Sequence, residues 1–364
     1  MEINYPVYKP LLIGNEKKYV NDCLDSNWIS SRGSYIRQFE DKFAEYVEIE
    51  HATTVCNGTA AVLLALLALE IGKDDEVIVP SLVYVAVPNM VCFSGAKPVF
   101  VESLYNTWQM DPDDIQRKIS PRTKAVLVVH NYGHPCDMDR IKSICDSNKL
   151  FLIEDCAEVL GGKYKNKHAG QWGDFSTYSF FGNKTITTGE GGMVTSHSEE
   201  LIRKAFHLKN QGVTSRVYWH DVLANNFRMT NMTAAVGLAQ LERIDEILKR
   251  KRDIALQYRK LFEGSGYEFH GENEDVLHSY WMCSILVQHP NQRDPLREYL
   301  ASHGIETRPF FYPAHTMPMY KDMNKYSFPI AESISSRGIN LPSFPALTNE
   351  DVSFIAGKVL AFNK

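Results

Sequence analysis

From about residue 50 to residue 210 the chain alternates helical stretches with short β-branched and apolar runs: "EVIVPS", "KPVFVE", "KAVLVVHN", "LFLIEDC", "DFSTYSFF" and "GGMVTS". These runs are apolar on both faces, which a strand tolerates when helices cover both sides of its sheet. The pattern therefore predicts an α/β fold with a largely parallel sheet. The run "AAVLLALLAL" is too short to span a bilayer and reads as a buried helix. "TNMTAAVGLAQLERIDEILKRKRDIALQYRKLF" forms one long amphipathic pattern, with Leu238, Leu241, Ile244 and Leu248 at helical spacing. It is placed to join two domains. Beyond about residue 265, "SYWMCSILVQ", "RDPLREYLASHG" and "IETRPFFY" predict a small α+β unit. The expected division is a large domain over residues 1–245 and a small C-terminal α+β domain over residues 246–364.

Charge narrows the partners. The formal net charge is -5 over 364 residues, with no block of Lys/Arg, which argues against nucleic acid or an anionic membrane as the main partner. The N-terminal "MEINYPVYKPLLIG" lacks the basic start and apolar core of a signal peptide. Seven cysteines are scattered without CxxC spacing, so no disulfide framework and no metal site are expected, and a cytoplasmic location fits.

Ligands of open α/β sheets bind where strands end and the following loops turn into helices, and four segments supply such ends. In "CNGTAAVLLALLAL", Gly58 permits close approach and Thr59 offers a hydroxyl and free N–H groups at a positive helix end, a cradle for phosphate or a simple helix cap. In "LFLIEDCAE" an apolar strand runs straight into Asp155, which is costly without a partner. A protonated heterocyclic nitrogen is one such partner, and solvent is the alternative. In "SFFGNKTITTGEGGM", Ser179 and Lys184 follow a strand, before a glycine-permissive turn. In "SLVYVAVPN", Tyr84 can lie on a heterocycle or belong to the core. Phosphate donors, a stacking ring, an acid for a ring nitrogen and a lysine amine are the four things pyridoxal 5'-phosphate uses.

With these residues in place the sequence resembles the DegT/StrS class of pyridoxal-phosphate-dependent nucleotide-sugar aminotransferases, of aspartate-aminotransferase fold type (PLP fold type I), and within it the branch that makes GDP-perosamine. The similarity runs from "PVYKPLLIGNEKKYVNDCLDSNWISSRG" through "VHNYGHPCDM", "IEDCAE" and "NNFRMTN" to "IETRPFFYPAHTMPMY" and "RGINLPSFP". The resemblance implies that Lys184 binds the cofactor's aldehyde covalently and shuttles protons, that Asp155 pairs with the pyridine nitrogen and that Tyr84 stacks on the ring. Gly58, Thr59 and Ser179 match phosphate binders, joined by Asn226 from the other subunit of a homodimer. Arg308 and His315 border the sugar-nucleotide site and Glu158 lies near the reacting sugar. The implied reaction is ping-pong transfer of an amino group from L-glutamate to C4 of a nucleoside-diphosphate 4-keto-6-deoxyhexose.

Two stretches depart from the family pattern. "LVYVAV" puts Val83 and Val87 where hydroxyl residues stand, and "ANNFRM" carries Ala224 and Asn225. The alternative substrate is therefore a UDP- or dTDP-linked 4-keto-6-deoxyglucose, giving viosamine. A sugar 3-dehydratase has histidine in place of the lysine, which Lys184 opposes. A non-catalytic regulator of the same fold would have no reason to keep the cofactor set together.

Overall fold

The computed structural model describes residues 3–323 and 326–362. Among them, seven strands build the main sheet: β1 (His51–Val55), β2 (Glu76–Pro80), β3 (Lys97–Val101), β4 (Thr123–Val129), β5 (Phe151–Asp155) and, after a short hairpin of β6 (Lys163–Tyr164) and β7 (Lys167–His168), β8 (Phe175–Ser179) and β9 (Gly192–Ser196). Their order is β1-β9-β8-β5-β4-β2-β3. All interfaces from β8 to β3 are parallel, and β9 runs antiparallel to both β8 and β1. The six apolar runs are six of these strands. "HATTV", less apolar, is the seventh and closes the edge.

Period-two alternation explains why the inner strands are apolar throughout. Val77 and Val79 of β2, Leu127 and Val129 of β4 and Ile153 of β5 join one core, together with Val62, Leu64 and Leu66 of the helix Gly58–Ala68. Ile78, Val126, Val128 and Leu152 point the other way into a second core with Ile115, Ile141 and Cys145. Each such buried aliphatic side chain contributes about 1.5–3 kcal/mol, so a polar residue on either face would be selected against.

The long amphipathic pattern is two helices rather than one, Asn231–Leu241 and Ile244–Leu261. The first is buried nearly all round in the main domain, and the second is amphipathic, sending Ile254, Ala255 and Tyr258 into the core of the C-terminal unit. Serving two cores requires a change of direction, which falls at Glu242 and Arg243 without a glycine or proline to mark it.

The C-terminal unit carries β10 (Glu268–Phe269), β11 (Val276–Leu277), β12 (Cys283–Leu286), β13 (Arg308–Pro309) and β14 (Gly338–Leu341). Four of them form an antiparallel sheet, β10-β12-β14-β13, and β11 pairs with β6 of the main domain. The N-terminal segment ties the parts together. Tyr5 bridges Ile305, the Val7 N–H donates to Glu306 Oε2 at 2.9 Å, and the Tyr8 hydroxyl donates to the carbonyl of Lys184. All seven cysteines are free, and no helix of the described residues is long and apolar enough to cross a membrane.

Candidate active site

A cavity of about 430 Å³ opens at the C-terminal end of the parallel strands. Its floor is made of the last residues of three neighbouring strands, Val129 of β4, Asp155 of β5 and Ser179 of β8. In-register parallel pairing sets Val129 beside Asp155, so one sheet edge delivers a carboxyl and a hydroxyl to the same space. Gly58, Thr59, Tyr84, Glu158, Lys184 and Arg308 complete the set of sequence-predicted residues in the wall.

The candidate anion cradle is built by a close approach. Asn57 caps the helix Gly58–Ala68, its side chain accepting from the Ala60 N–H at 2.8 Å. That leaves the N–H groups of Gly58 and Thr59 as first-turn donors at the positive end of the helix dipole. A Cβ at position 58 would lie 2.6 Å from the Cβ of Ser179. Only glycine lets the helix end and the β8 terminus come together around one anion.

Asp155 is almost wholly buried, and burial pushes its carboxyl above the usual range, against the pull of the Ala157 N–H bonded at 2.9 Å and of the Lys184 charge. A buried acid with this balance is suited to a cationic partner in the cavity. Glu158 is buried too. Burial raises it to about 7, opposed by the Lys184 charge and by the Tyr132 N–H, which donates to Oε2 at 2.9 Å. Lys184 Nζ stands 3.6 Å from Glu158 Oε1 and 4.1 Å from the centre of the Trp281 ring.

Two predicted residues lie elsewhere in this chain. His315 is buried beside the C-terminal end of β2, its Nδ1 2.6 Å from Ser81 Oγ and its Nε2 3.2 Å from Glu332, and does not itself line the cavity. Asn226 also lies outside it, on an exposed loop bridged to Asn210, with its Oδ1 accepting from Arg228 Nε at 2.8 Å. Conversely, Trp281 and Phe311 join the wall from the C-terminal unit. Trp281 Nε1 donates to the Asn183 carbonyl at 2.8 Å, fixing the backbone next to Lys184. The aromatic pair in "HSYWMCS" was the available signal, but its partner lies 98 residues away.

Behind Asp155, His130, Glu154 and Cys156 bring ligand atoms within 4.8 Å of one another. His130 and Glu154 are already committed. The Cys136 N–H donates to His130 Nδ1, which leaves Nε2–H to donate to Glu154 at 3.1 Å, while Glu154 also accepts from the N–H groups of Gly170, Trp172 and Gly173. This is a buried carboxylate fully supplied with donors, not a metal centre.

A helix-end anion cradle, a buried acid, an exposed ring at Tyr84 and a lysine amine in one cavity fit pyridoxal phosphate. The DegT/DnrJ/EryC1/StrS aminotransferase family model matches residues 10–360. The chain is 55% identical to GDP-perosamine synthase of Escherichia coli O157:H7 over 98% of each chain, and 52% identical to that of Vibrio cholerae over 96% of each. The structure of the putative sugar aminotransferase Spr1654 from Streptococcus pneumoniae in its PLP form superposes with a TM-score of 0.94 at 28% identity, covering 99% of this chain and 98% of that one. The cofactor is pyridoxal phosphate, and the chain belongs to the DegT/DnrJ/EryC1/StrS aminotransferase family.

Proposed function

We propose that the chain transfers an amino group from L-glutamate to C4 of GDP-4-keto-6-deoxymannose, forming GDP-perosamine. The observation that carries the reaction type is the meeting of Lys184, Asp155 and the Gly58–Thr59 helix end in one cavity. The relatives at 55% and 52% identity, both named for this product, support the substrate.

When bound, pyridoxal phosphate supplies an electron sink that stabilises negative charge beside the transferred nitrogen. The chain's residues have separate tasks. Gly58, Thr59 and Ser179 would hold the phosphate, Asp155 would hold the protonated ring nitrogen, and Tyr84, at the mouth, would face the ring. Lys184 would anchor the aldehyde and, once released, carry protons on Nζ. Trp281 and Phe311 line the wall beside that amine, and Arg308 sets a cation at the rim for an anionic substrate group.

A second reading rests on Val83 and Val87, which line the cavity and are buried. Their apolar side chains offer a sugar hydroxyl no partner, a loss of about 1–3 kcal/mol for a substrate that needs one. That is enough to exchange preference between mannose- and glucose-configured ketosugars. Competition between GDP-, UDP- and dTDP-linked 4-keto-6-deoxyhexoses at equal glutamate decides. The GDP substrate is expected to have the highest specificity constant. Preference for a UDP or dTDP sugar would move the assignment to viosamine.

The working form proposed is a homodimer in the cytoplasm. Val217, Tyr218, Trp219 and Leu223 are exposed on the loop that leads to Asn226, an apolar surface that a second copy would cover. Seven free cysteines suit a reducing compartment. Asn226→Asp, which sets a carboxylate against an anion, is expected to be nearly inactive alone and Lys184→Ala likewise. Heterodimers of the two should recover about a quarter to a half of wild-type activity, because one site per pair is intact. Proven heterodimers without recovery would place Asn226 in its own chain's chemistry.

A further inference from the structure

Glu158 is buried, yet neither of its oxygens is left to chance. Oε2 accepts the Tyr132 N–H, and Oε1 faces Lys184 Nζ at 3.6 Å. Tyr132 reaches it only by adopting a left-handed backbone, φ 58 and ψ 13, which a bulky side chain rarely adopts. That strain is held by packing. The Tyr132 ring stacks on Phe310 with centroids 4.5 Å apart and on Phe311 at 5.4 Å, and its hydroxyl accepts the Phe311 N–H at 3.0 Å. A strained amide aimed at one carboxylate oxygen, leaving the other towards a lysine, is an arrangement for orienting that carboxyl.

We infer that Glu158 is a positioning residue that exchanges a proton with Lys184, rather than a group whose main task is to bind the sugar. The exchange is Glu158–COOH with a neutral Lys184 amine on one side and Glu158 carboxylate with Lys184 ammonium on the other. The proton passes between Oε1 and Nζ when the lysine side chain closes the 3.6 Å between them to hydrogen-bond distance, and nothing else changes hands. The Lys184 amine, which takes up and gives back a proton in each half-reaction, thereby has a neighbouring group against which its charge can be reset. The groups facing Glu158 are Lys184 from the loop after β8, Asp155 on its own strand end and Tyr132 from the loop after β4, with Arg308 and Glu190 on the same cavity wall. Burial already holds the carboxyl near the range where both forms are populated at neutral pH.

The inference rests on the aminotransferase reading, and the test separates the two. In the full-length chain without cofactor, infrared difference spectra between about pH 6 and about pH 8 should contain a protonated-carboxyl band that disappears in Glu158→Gln and stays in Asp155→Asn. In the loaded enzyme, the half-reaction with L-glutamate, measured with no sugar present, should slow by about 30-fold in Glu158→Gln and lose its pH dependence around neutrality, with Glu158→Asp recovering part of both. The KM for the sugar should change by less than about threefold. A missing band in the wild type overturns the inference, as does a glutamate half-reaction that Glu158→Gln leaves unchanged while the sugar KM rises. Should wild type itself lack the glutamate half-reaction, the aminotransferase reading fails, and the infrared band still decides whether Glu158 titrates. If Glu158→Gln does not fold, Glu158→Met, of similar length and without a carboxyl, should show the same loss of the band and the same slowing.

Discussion

Lys184→Ala is expected to reduce turnover by about 10⁴-fold or more while leaving the fold intact, because on the proposed reading the variant loses both the cofactor's covalent anchor and the group that moves protons. In wild type, borohydride reduction followed by peptide mass analysis should place a pyridoxyl group on the peptide containing Lys184, and in the variant no peptide should carry it. A label on another lysine would sink the assignment. The folded state should survive for an energetic reason. Removing one member of a buried ion pair costs about 3–5 kcal/mol at worst, which lies within the roughly 5–15 kcal/mol of a typical fold. Glu158, already raised to about 7, escapes much of that cost by taking up a proton. The backbone around position 184 is held independently by the Tyr8 hydroxyl on its carbonyl and by Trp281 on the carbonyl of Asn183. Circular dichroism and melting should therefore resemble wild type while turnover does not.

What could be read from the sequence followed the range of the interaction. Strands such as "KAVLVVHN" were legible because burial on both faces writes itself into consecutive residues. Asp155 and Lys184 were legible because a carboxyl or an amine at a strand exit contradicts the apolar run before it. β1 was not, since "HATTV" lies at the sheet edge and its burial comes only in its second half. The break at Glu242 and Arg243 comes from two cores claiming consecutive turns of helix, which no local residue records. Trp281 over Lys184 and the Tyr132 amide on Glu158 join segments 97 and 26 residues apart, so their meaning appears only when the C-terminal unit closes on the sheet. His315, which its motif suggested for the border of the substrate site, is seated beside Ser81 at the C-terminal end of β2 with Glu332 on its other nitrogen, a pairing no local residue records.

Asp155→Asn should divide stability from function. Asparagine is nearly isosteric and keeps an oxygen for the Ala157 N–H, which now bonds Oδ1 at 2.9 Å. It has no charge with which to hold a proton on the ring nitrogen, so turnover should fall by about 10²–10⁴-fold in both half-reactions. Without cofactor the effect on stability should have the opposite sign. Burial raises the Asp155 carboxyl above its unfolded value. A raised acid binds more protons in the folded state, so its contribution is fully present below the unfolded value and is lost as pH rises through the folded one. Above that window the wild-type chain carries a buried carboxylate that the variant lacks. The cofactor-free variant should therefore melt at about the same temperature as wild type near pH 4 and about one degree higher near pH 8, a difference of about 1 kcal/mol. Saturating pyridoxal phosphate should reverse the order, because only the carboxylate gains a cationic partner. Paired melting curves with and without cofactor across that pH range make the comparison. A variant that melts lower than wild type at every pH without cofactor would mean that Asp155 is compensated inside the protein, and that its burial was not arranged for a ligand.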